Sequence, residues 1–387
     1  MRNCSICIGG YGVVSTMGTG FDSLRHSVFS GERRGNIRTF SVNGAGGYPF
    51  AVLPPAFALE KTGMFKGLAG VCLDEVTVSS GYSRDELFGD DTVFLAGVTS
   101  GMHHRWHGES PMHYREAVST GEFIESDLLM SLCRDWGFRG QAMAVNTACA
   151  SSLSALIMGC HLIEAGVARR VLVGAVELLN WYDVAGFSCA HLLSRTTCKP
   201  FDKRRDGLML GEAAVFVLLE KLTMARSPHF EIIAGGANND CYDIARPQPG
   251  GGNLQRCILR ALEAGDLRAE DIDYVNAHGT GTIQNDLSES VVFSSLWPRA
   301  QSGTFISSTK GIHGHTRAAG GILELLICGA AIREAKVPFN MGCGEPDPSC
   351  GWNCGLKEDY QKEIRYAMSV SKGFGGTNAA VILGKVA

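Results

Sequence analysis

The sequence predicts an α/β protein made of two similar halves, and three observations carry that prediction. Runs rich in β-branched and aromatic residues alternate with helical patterns along the chain. Several of these runs, such as Val171-Leu172-Val173, lack polar alternation, as strands covered on both faces do. The third observation is an internal repeat at an offset of 166 residues, which lays the helix after Cys149 on the helix after His315 and Ala213-Ala214-Val215 on Ala379-Ala380-Val381. Each half then reads as strand, helix, strands, a second helix opening with a chemically active residue, a strand and a closing hairpin. Residues 1–224 and 225–387 are the two expected halves, packed back to back.

In chain order, Ser5 to Val14 reads as a strand and leads past Gly9, Gly10 and Gly12 to a helix over Phe21 to Ser30. Strands are expected at Thr92 to Val98, Arg170 to Val176 and Ala213 to Leu219, with a helix of small residues over Ser151 to Ala165. The second half opens at Phe230 to Gly235, followed by a helix over Leu254 to Ala264 and strands at Ile272 to Ala277 and Phe305 to Ser308. A helix over Ala318 to Ala335 precedes the closing pair Tyr366 to Ser371 and Asn378 to Leu383. The stretches around Met102 to Gly121, Asp240 to Gly252 and Lys61 to Lys66 read as irregular.

With 387 residues, 45% of them apolar and 19% charged, a large core is available and a disordered chain is excluded. The net charge of -4 argues against an affinity for nucleic acid built on phosphate neutralisation. The N-terminal apolar run is broken by glycines and is too short for a signal segment or a membrane span. Fourteen scattered cysteines in a chain of this size point to a reduced, cytoplasmic setting rather than to disulfides. Cys343, Cys350 and Cys354 contain no Cys-x-x-Cys pair and no nearby His, so no metal site is expected there.

The chemistry concentrates at three places. Cys149, in Val145-Asn146-Thr147-Ala148-Cys149-Ala150-Ser151-Ser152, stands directly before a helix, where the macrodipole and free N–H groups are expected to lower its pKa. His278 ends an apolar strand in Asn276-Ala277-His278-Gly279-Thr280-Gly281-Thr282. His315 enters a helix after Ser307-Ser308-Thr309-Lys310-Gly311-Ile312-His313-Gly314, where the dipole is expected to hold its ring neutral and able to donate to an oxyanion. The turn Gly373-Phe374-Gly375-Gly376-Thr377-Asn378 lacks the Lys-Ser/Thr of a phosphate loop and reads instead as a presenter of backbone N–H groups. His26, His161, His191 and His229 read as ordinary core or surface residues, and His103, His104, His107 and His113 as a polar loop at a subunit contact.

Taken in order, these motifs resemble those of the beta-ketoacyl acyl-carrier-protein synthases, condensing enzymes of the thiolase superfamily. The resemblance rests on Thr147 to Ser152, on Pro-Phe-Asp-Lys-Arg-Arg-Asp-Gly over 200–207 with Gly211-Glu212, and on Asn276 to Thr282 with Asp286 and Glu289. Lys310 with Gly314-His315 and Glu324, and Gly373 to Asn378, complete it. It implies a thiolase-like five-layered αβαβα fold and a decarboxylative Claisen condensation. Cys149 would carry the acyl group, and His278 and His315 would stabilise the enolate of the malonyl carrier protein. The N–H groups of Cys149 and Phe374 would form the oxyanion hole, Phe374 would gate the pocket, and Lys310 paired with Glu324 would orient the site. No cofactor is implied, because phosphopantetheine arrives on the carrier protein.

Retention of Cys149, His278, Lys310 and His315 implies the catalytic subunit type, in polyketide, aryl polyene or other polyene biosynthesis, or in fatty acid biosynthesis. With no malonyl-transferase, reductase or carrier-protein segment attached, the chain reads as a discrete enzyme served by partners in trans. Two alternatives stand beside it: a non-catalytic subunit that shapes another chain's pocket, and a coenzyme A-dependent thiolase-type enzyme. The expected partners are an acyl carrier protein and a second subunit, identical or resembling a chain-length factor. Carrier proteins are acidic, so Lys61, Lys66, Lys199, Lys203 and Arg204 are candidate contacts. Three departures from the family pattern stand out: Lys372 occupies the place of an aromatic, Asn146 that of an Asp, and Asp240 to Gly252 lacks the usual His-x-Thr-x-Pro.

Overall fold

A computed structural model of the chain describes residues 5–41, 47–54, 63–99, 125–355 and 360–386. Two separate strand pairs, Asn36–Ser41 with Gly47–Val52 and Lys336–Val337 with Tyr360–Gln361, stand apart, and the other twelve described strands join edge to edge into one sheet. Its order from one edge is Asn353–Cys354, Phe305–Ser307, Tyr274–Asn276, Tyr366–Gly373, Thr377–Lys385 and Phe230–Asn239. It continues through Ile6–Ser15, Ala213–Lys221, Arg170–Glu177 and Thr92–Gly97 to Ala142–Val145, with Gly18–Thr19 off the path.

The pairing pattern repeats in the two halves. In each, the first strand pairs antiparallel with the last and the last antiparallel with its predecessor, while the remaining neighbours run parallel. The halves meet where Ile6, Cys7 and Ile8 pair with Ile232, Glu231 and Phe230. Parallel strands have to be covered on both faces, and the helices supply the cover. Ser151–Glu164 and Gly320–Glu334 touch each other in the middle layer, Gly63–Ser80 lies on the outside of the first sheet half and Gly252–Ala264 on the outside of the second. The result is the five-layered αβαβα arrangement.

Gly320–Glu334 is buried without interruption from Gly320 to Ile332, as a helix that is apolar all round must be. It approaches the companion helix closely at Gly321, where a Cβ would lie 2.7 Å from a Leu153 side-chain carbon, and Ile322 N–H donates to Ser152 Oγ at 3.2 Å. These contacts bring the segments opening the two middle helices to one place.

The helix over Phe21–Ser30 forms as expected, and most expected strands appear with ends moved by one to a few residues. Phe230–Asn239 runs past the predicted stop at Gly235 because the ladder to Thr377–Lys385 continues to Asn239. Elements not read from the sequence include Gly63–Ser80, the helices Glu125–Trp136, Trp181–Cys189 and Ile283–Leu296, the hairpin Asn36–Ser41 with Gly47–Val52, and Ala142–Val145. Gly63, Gly67 and Gly70 with several β-branched residues depress the local helix propensity of Gly63–Ser80, but Leu68, Cys72 and Val76 at fourfold spacing are all buried on the sheet. Lys66 therefore lies on a helix, not in an irregular segment. His103, His104, His107 and His113, the stretch Met102 to Gly121, and Lys61 lie outside the described residues. Among the described residues no helix is long and apolar enough to cross a membrane.

Both first strands carry a glycine where the outer helix presses on the sheet. A Cβ on Gly12 would meet the Cys72 carbonyl oxygen at 2.0 Å, and one on Gly236 the Cys257 carbonyl oxygen at 2.5 Å. Gly12→Val and Gly236→Val are expected each to destabilise the fold by about 1–3 kcal/mol, read as a lower midpoint of urea unfolding.

Candidate functional site

Cys149 leaves the sheet on a strained turn. Ala148 before it holds a left-handed φ of 51°, a conformation that costs a non-glycine residue about 1–2 kcal/mol. The turn is fixed by local hydrogen bonds: Thr147 N–H donates to Ser151 Oγ at 2.9 Å, and Ser151 Oγ donates to Val98 O at 2.8 Å. Asn146 accepts the Ala148 N–H at 3.1 Å and donates through Nδ2 to Thr99 O at 3.0 Å. An aspartate could make the first bond but not the second.

A positive φ recurs at the matching place in the other half. Gly314, directly before His315, has φ 71°. His315 is gripped by the first half, its N–H donating to Met209 O at 2.6 Å and its carbonyl accepting from Gly211 N–H at 3.0 Å. His278 ends the strand Tyr274–Asn276 and is held by the buried Glu289, whose two oxygens accept the N–H groups of His278 at 2.9 Å and Gly279 at 2.7 Å. Asp286, one turn earlier on the same helix, accepts from Gly281 N–H at 3.2 Å and Phe201 N–H at 2.8 Å.

Cys149, His278 and His315 line one cavity of about 480 Å³, together with Phe187, Lys372 and Phe374. The two imidazoles stand 5.2 Å apart, edge to face at 87°. Phe187 bridges His315 at 6.4 Å to Phe374 at 5.4 Å. The glycine-rich turn meets the Cys149 turn directly, since a Cβ on Gly373 would lie 2.7 Å from Thr147 O and 3.0 Å from Cys149 N. Thr377 Oγ1 donates to Thr147 O at 2.8 Å. The same turn is tied to the Asp240 segment, Gly375 N–H donating to Ile244 O at 2.6 Å and Asp240 N–H to Gly376 O at 2.7 Å.

Burial sets the protonation states. It pushes the Cys149 thiol up to about 12, with Arg317 and Lys310 opposing and Glu177 and Asp183 adding to the rise. This overturns the expectation that the helix terminus lowers the pKa of Cys149: the dipole acts within a turn, whereas desolvation acts on the whole thiolate. Burial holds both imidazoles well below their usual value, helped in each case by the Lys310 ammonium. His315 is thus neutral as expected, but through burial and nearby cations, because its α-helix begins only at Gly320. Lys310 is hydrogen-bonded to Glu324, both fully buried, and burial lifts Glu324 to about 7.

Sequence reasoning missed a second buried ionic group near the thiol. Arg317 Nε lies 2.9 Å from Asp183 Oδ2 and donates to Glu177 Oε2 at 3.1 Å, while its Nη2 donates to Leu178 O at 2.8 Å. Burial raises Glu177 to about 7 against the pull of Arg317. The available signal was a lone Arg in the otherwise small-residue run Ala318-Ala319-Gly320-Gly321 that follows His315. His191, read as ordinary, instead lines the cavity on a left-handed backbone with φ 55°.

The candidate carrier-protein contacts are already engaged within the chain. Lys66 pairs with Asp135, Lys203 with Glu345 and Arg204 with Asp202, and Lys199 donates to Thr196 Oγ1 at 2.8 Å. The exposed pairs of Lys66 and Lys203 are worth about 0–1 kcal/mol each, whereas Arg204 pairs with an Asp202 that is fully buried.

Residues 56–225 match the family described as beta-ketoacyl synthase, N-terminal domain, and residues 229–343 its C-terminal domain. Over 261 residues the chain is 32% identical to 3-oxoacyl-[acyl-carrier-protein] synthase 2 of Staphylococcus aureus (strain COL), covering 65% of this chain and 63% of that one. The chain thus spans less than two thirds of that relative's length. Over 333 residues it is 31% identical to nodulation protein E of Rhizobium meliloti, covering 82% of each. A ketosynthase solved in complex with its chain length factor from Xenorhabdus doucetiae superposes with a TM-score of 0.81 at 25% identity, over 99% of this chain and 98% of that one.

Two outcomes are expected from this electrostatic arrangement. Peptide-resolved alkylation of Cys149 by iodoacetamide should keep accelerating above pH 9, whereas an ordinary exposed thiol levels off near that pH. Arg317→Met leaves Glu177 and Asp183 buried without their cation and should cost about 3–5 kcal/mol in denaturant unfolding.

Proposed function

This chain belongs to the beta-ketoacyl synthase family, and we propose that it catalyses the decarboxylative condensation of a Cys149-bound acyl group with a malonyl carrier protein. The observation that carries this reading is the convergence of one thiol and two neutral imidazoles, drawn from opposite halves, on a single cavity.

In the loading step the Cys149 thiol attacks the acyl thioester and the carrier's pantetheine thiol leaves with the proton. A thiol of such high pKa does not ionise by itself, so its proton has to move as the sulfur attacks, and a neutral imidazole can accept it and pass it on. The tetrahedral oxyanion falls to the N–H groups of Cys149 and Phe374, where one such donor is worth about 3–4 kcal/mol. The contact between the Gly373 backbone and Cys149 N supports that placement. In the second step malonyl thioester loses CO2, and its enolate oxygen is held by donation from His278 and His315. The enolate carbon then attacks the acyl-cysteine and the sulfur of Cys149 is released.

Lys310 with Glu324 keeps a fixed cation beside both rings, a positioning role supported by its effect on the protonation of each. Phe374, 39% exposed and packed on Phe187, suits a gate at the cavity mouth. The reaction needs no cofactor on the protein, since phosphopantetheine comes with the carrier. A second subunit, identical or of the chain-length-factor kind, is the proposed partner, and the half-buried strand Ala142–Val145, the edge of the sheet among the described residues, is a suitable place for it to join. The likeness to a ketosynthase solved with a chain length factor, and Lys372 in the cavity wall, support a specialised polyketide or polyene pathway over general fatty acid synthesis.

The test is to incubate the protein with a panel of acyl carrier proteins and malonyl carrier protein and to locate the acyl group by mass spectrometry. Cys149 should be loaded, and Cys149→Ala should not. His278→Ala and His315→Ala, each keeping one imidazole to take the thiol proton, should still load but release CO2 at least ~10²-fold more slowly. Loading of a different thiol while Cys149 stays free would overturn the reading.

A further inference from the structure

Lys372 is a buried ammonium in the wall of the cavity, at a position where the family the sequence resembles carries an aromatic ring. It is the penultimate residue of the strand Tyr366–Gly373, next to the glycine that touches the Cys149 amide, and the residue is 6% exposed. An ammonium has three protons to donate. One goes to Ser288 Oγ at 3.3 Å, and Lys372 forms no salt bridge among the described residues.

Burial pulls the Lys372 pKa down, and Glu289, Asp240 and Asp286 oppose that pull. All three acids are already engaged by other donors, Asp286 by the N–H groups of Phe201 and Gly281. Glu289 accepts from the N–H groups of His278 and Gly279 and from Asn285 Nδ2 at 2.8 Å. Asp240 accepts from Asn378 Nδ2 at 2.7 Å and from Gln248 N–H at 3.1 Å. These carboxylates moderate the cost of burying the cation without filling its hydrogen bonds. What remains is donor capacity lining the same cavity as Cys149, His278 and His315.

We propose that Lys372 recognises the carboxylate of the malonyl thioester, so that the cavity selects the anionic extender over neutral acyl thioesters in the second half-reaction. The proposal rests on the condensing activity proposed above. A carboxylate facing Lys372 completes its hydrogen bonds with the strong, charge-assisted kind. The neutral acyl group of the loading step has nothing to offer it. When the bond between the α-carbon and the carboxylate carbon breaks, its electron pair enters the enolate facing His278 and His315, and CO2 leaves uncharged. The enolate carbon then forms the new bond to the acyl carbon, and the pair that held that carbon to Cys149 returns to sulfur, which takes up one proton. Lys372 keeps all its protons throughout. Its contribution therefore falls on binding of the extender, not on the acylation of Cys149.

The test compares Lys372→Met and Lys372→Arg with the native protein in the two half-reactions. Lys372→Met should raise KM for malonyl carrier protein about tenfold or more, leave the rate of Cys149 acylation by a saturated acyl carrier protein within about twofold, and be largely restored in Lys372→Arg. A purely structural counter-ion would instead move both half-reactions together, and that result, or an unchanged KM, overturns the proposal. Should Lys372→Met fail to fold, the native protein answers the same question through competition. Malonyl pantetheine should compete with malonyl carrier protein about tenfold more strongly than its uncharged methyl ester, and equal competition overturns the assignment. If Cys149 of the native protein is not acylated at all, the condensing reading falls and this proposal with it. If it is acylated but shows no preference for the anion, the role of Lys372 falls alone.

Discussion

Exclusion of water from the region around Cys149 is the constraint on which the rest of the site depends. Removing solvent leaves the sulfur protonated, both imidazoles neutral, and Glu177, Asp286 and Glu324 each lifted to about 7. Lys310 and Arg317 are tolerated there because each is matched to buried carboxylates. A resting site of this kind is poor in free charge but rich in oriented donors. A reaction that creates a transient thiolate or enolate then meets dipoles already in place, with no solvent left to reorganise.

The architecture supplies this environment by duplication. The two middle helices are pressed together through Gly321 and Leu153, so the segments that open them arrive at one cavity from opposite sides. Each arrives through a residue with left-handed backbone, Ala148 before Cys149 and Gly314 before His315. The first half further grips the second through the backbone of Met209 and Gly211 on either side of His315. Repeating one supersecondary plan and then varying the side chain at the shared position places a thiol on one side and an imidazole on the other. The glycine-rich turn closes the arrangement and is tied by hydrogen bonds to the Asp240 segment.

Much of this was legible in the amino-acid order, for identifiable reasons. Cys149, His278, Lys310, His315 and Glu324 stand out because they sit in short motifs at strand or helix ends, and the offset between Cys149 and His315 exposes the pseudo-symmetry that joins them. Arg317, Glu177 and Asp183 were not legible, because residues so far apart in sequence form their group only after folding and carry no local pattern. Gly63–Ser80 was missed because glycine and β-branched residues hide a helix that tertiary packing creates. Ala142–Val145 is too short to announce itself. The acidity of Cys149 was misjudged for a related reason: a helix terminus can be seen in a sequence, whereas the depth of burial that outweighs it cannot.

The most direct measurement is a crystal structure of the protein after reaction with an excess of a haloacetamide that mimics an acyl group. The account predicts one adduct on Cys149, with its carbonyl oxygen between the amides of Cys149 and Phe374 and both imidazole rings facing the same space. An adduct on Cys149 that points away from His278 and His315, or a free Cys149 beside another modified cysteine, would contradict it.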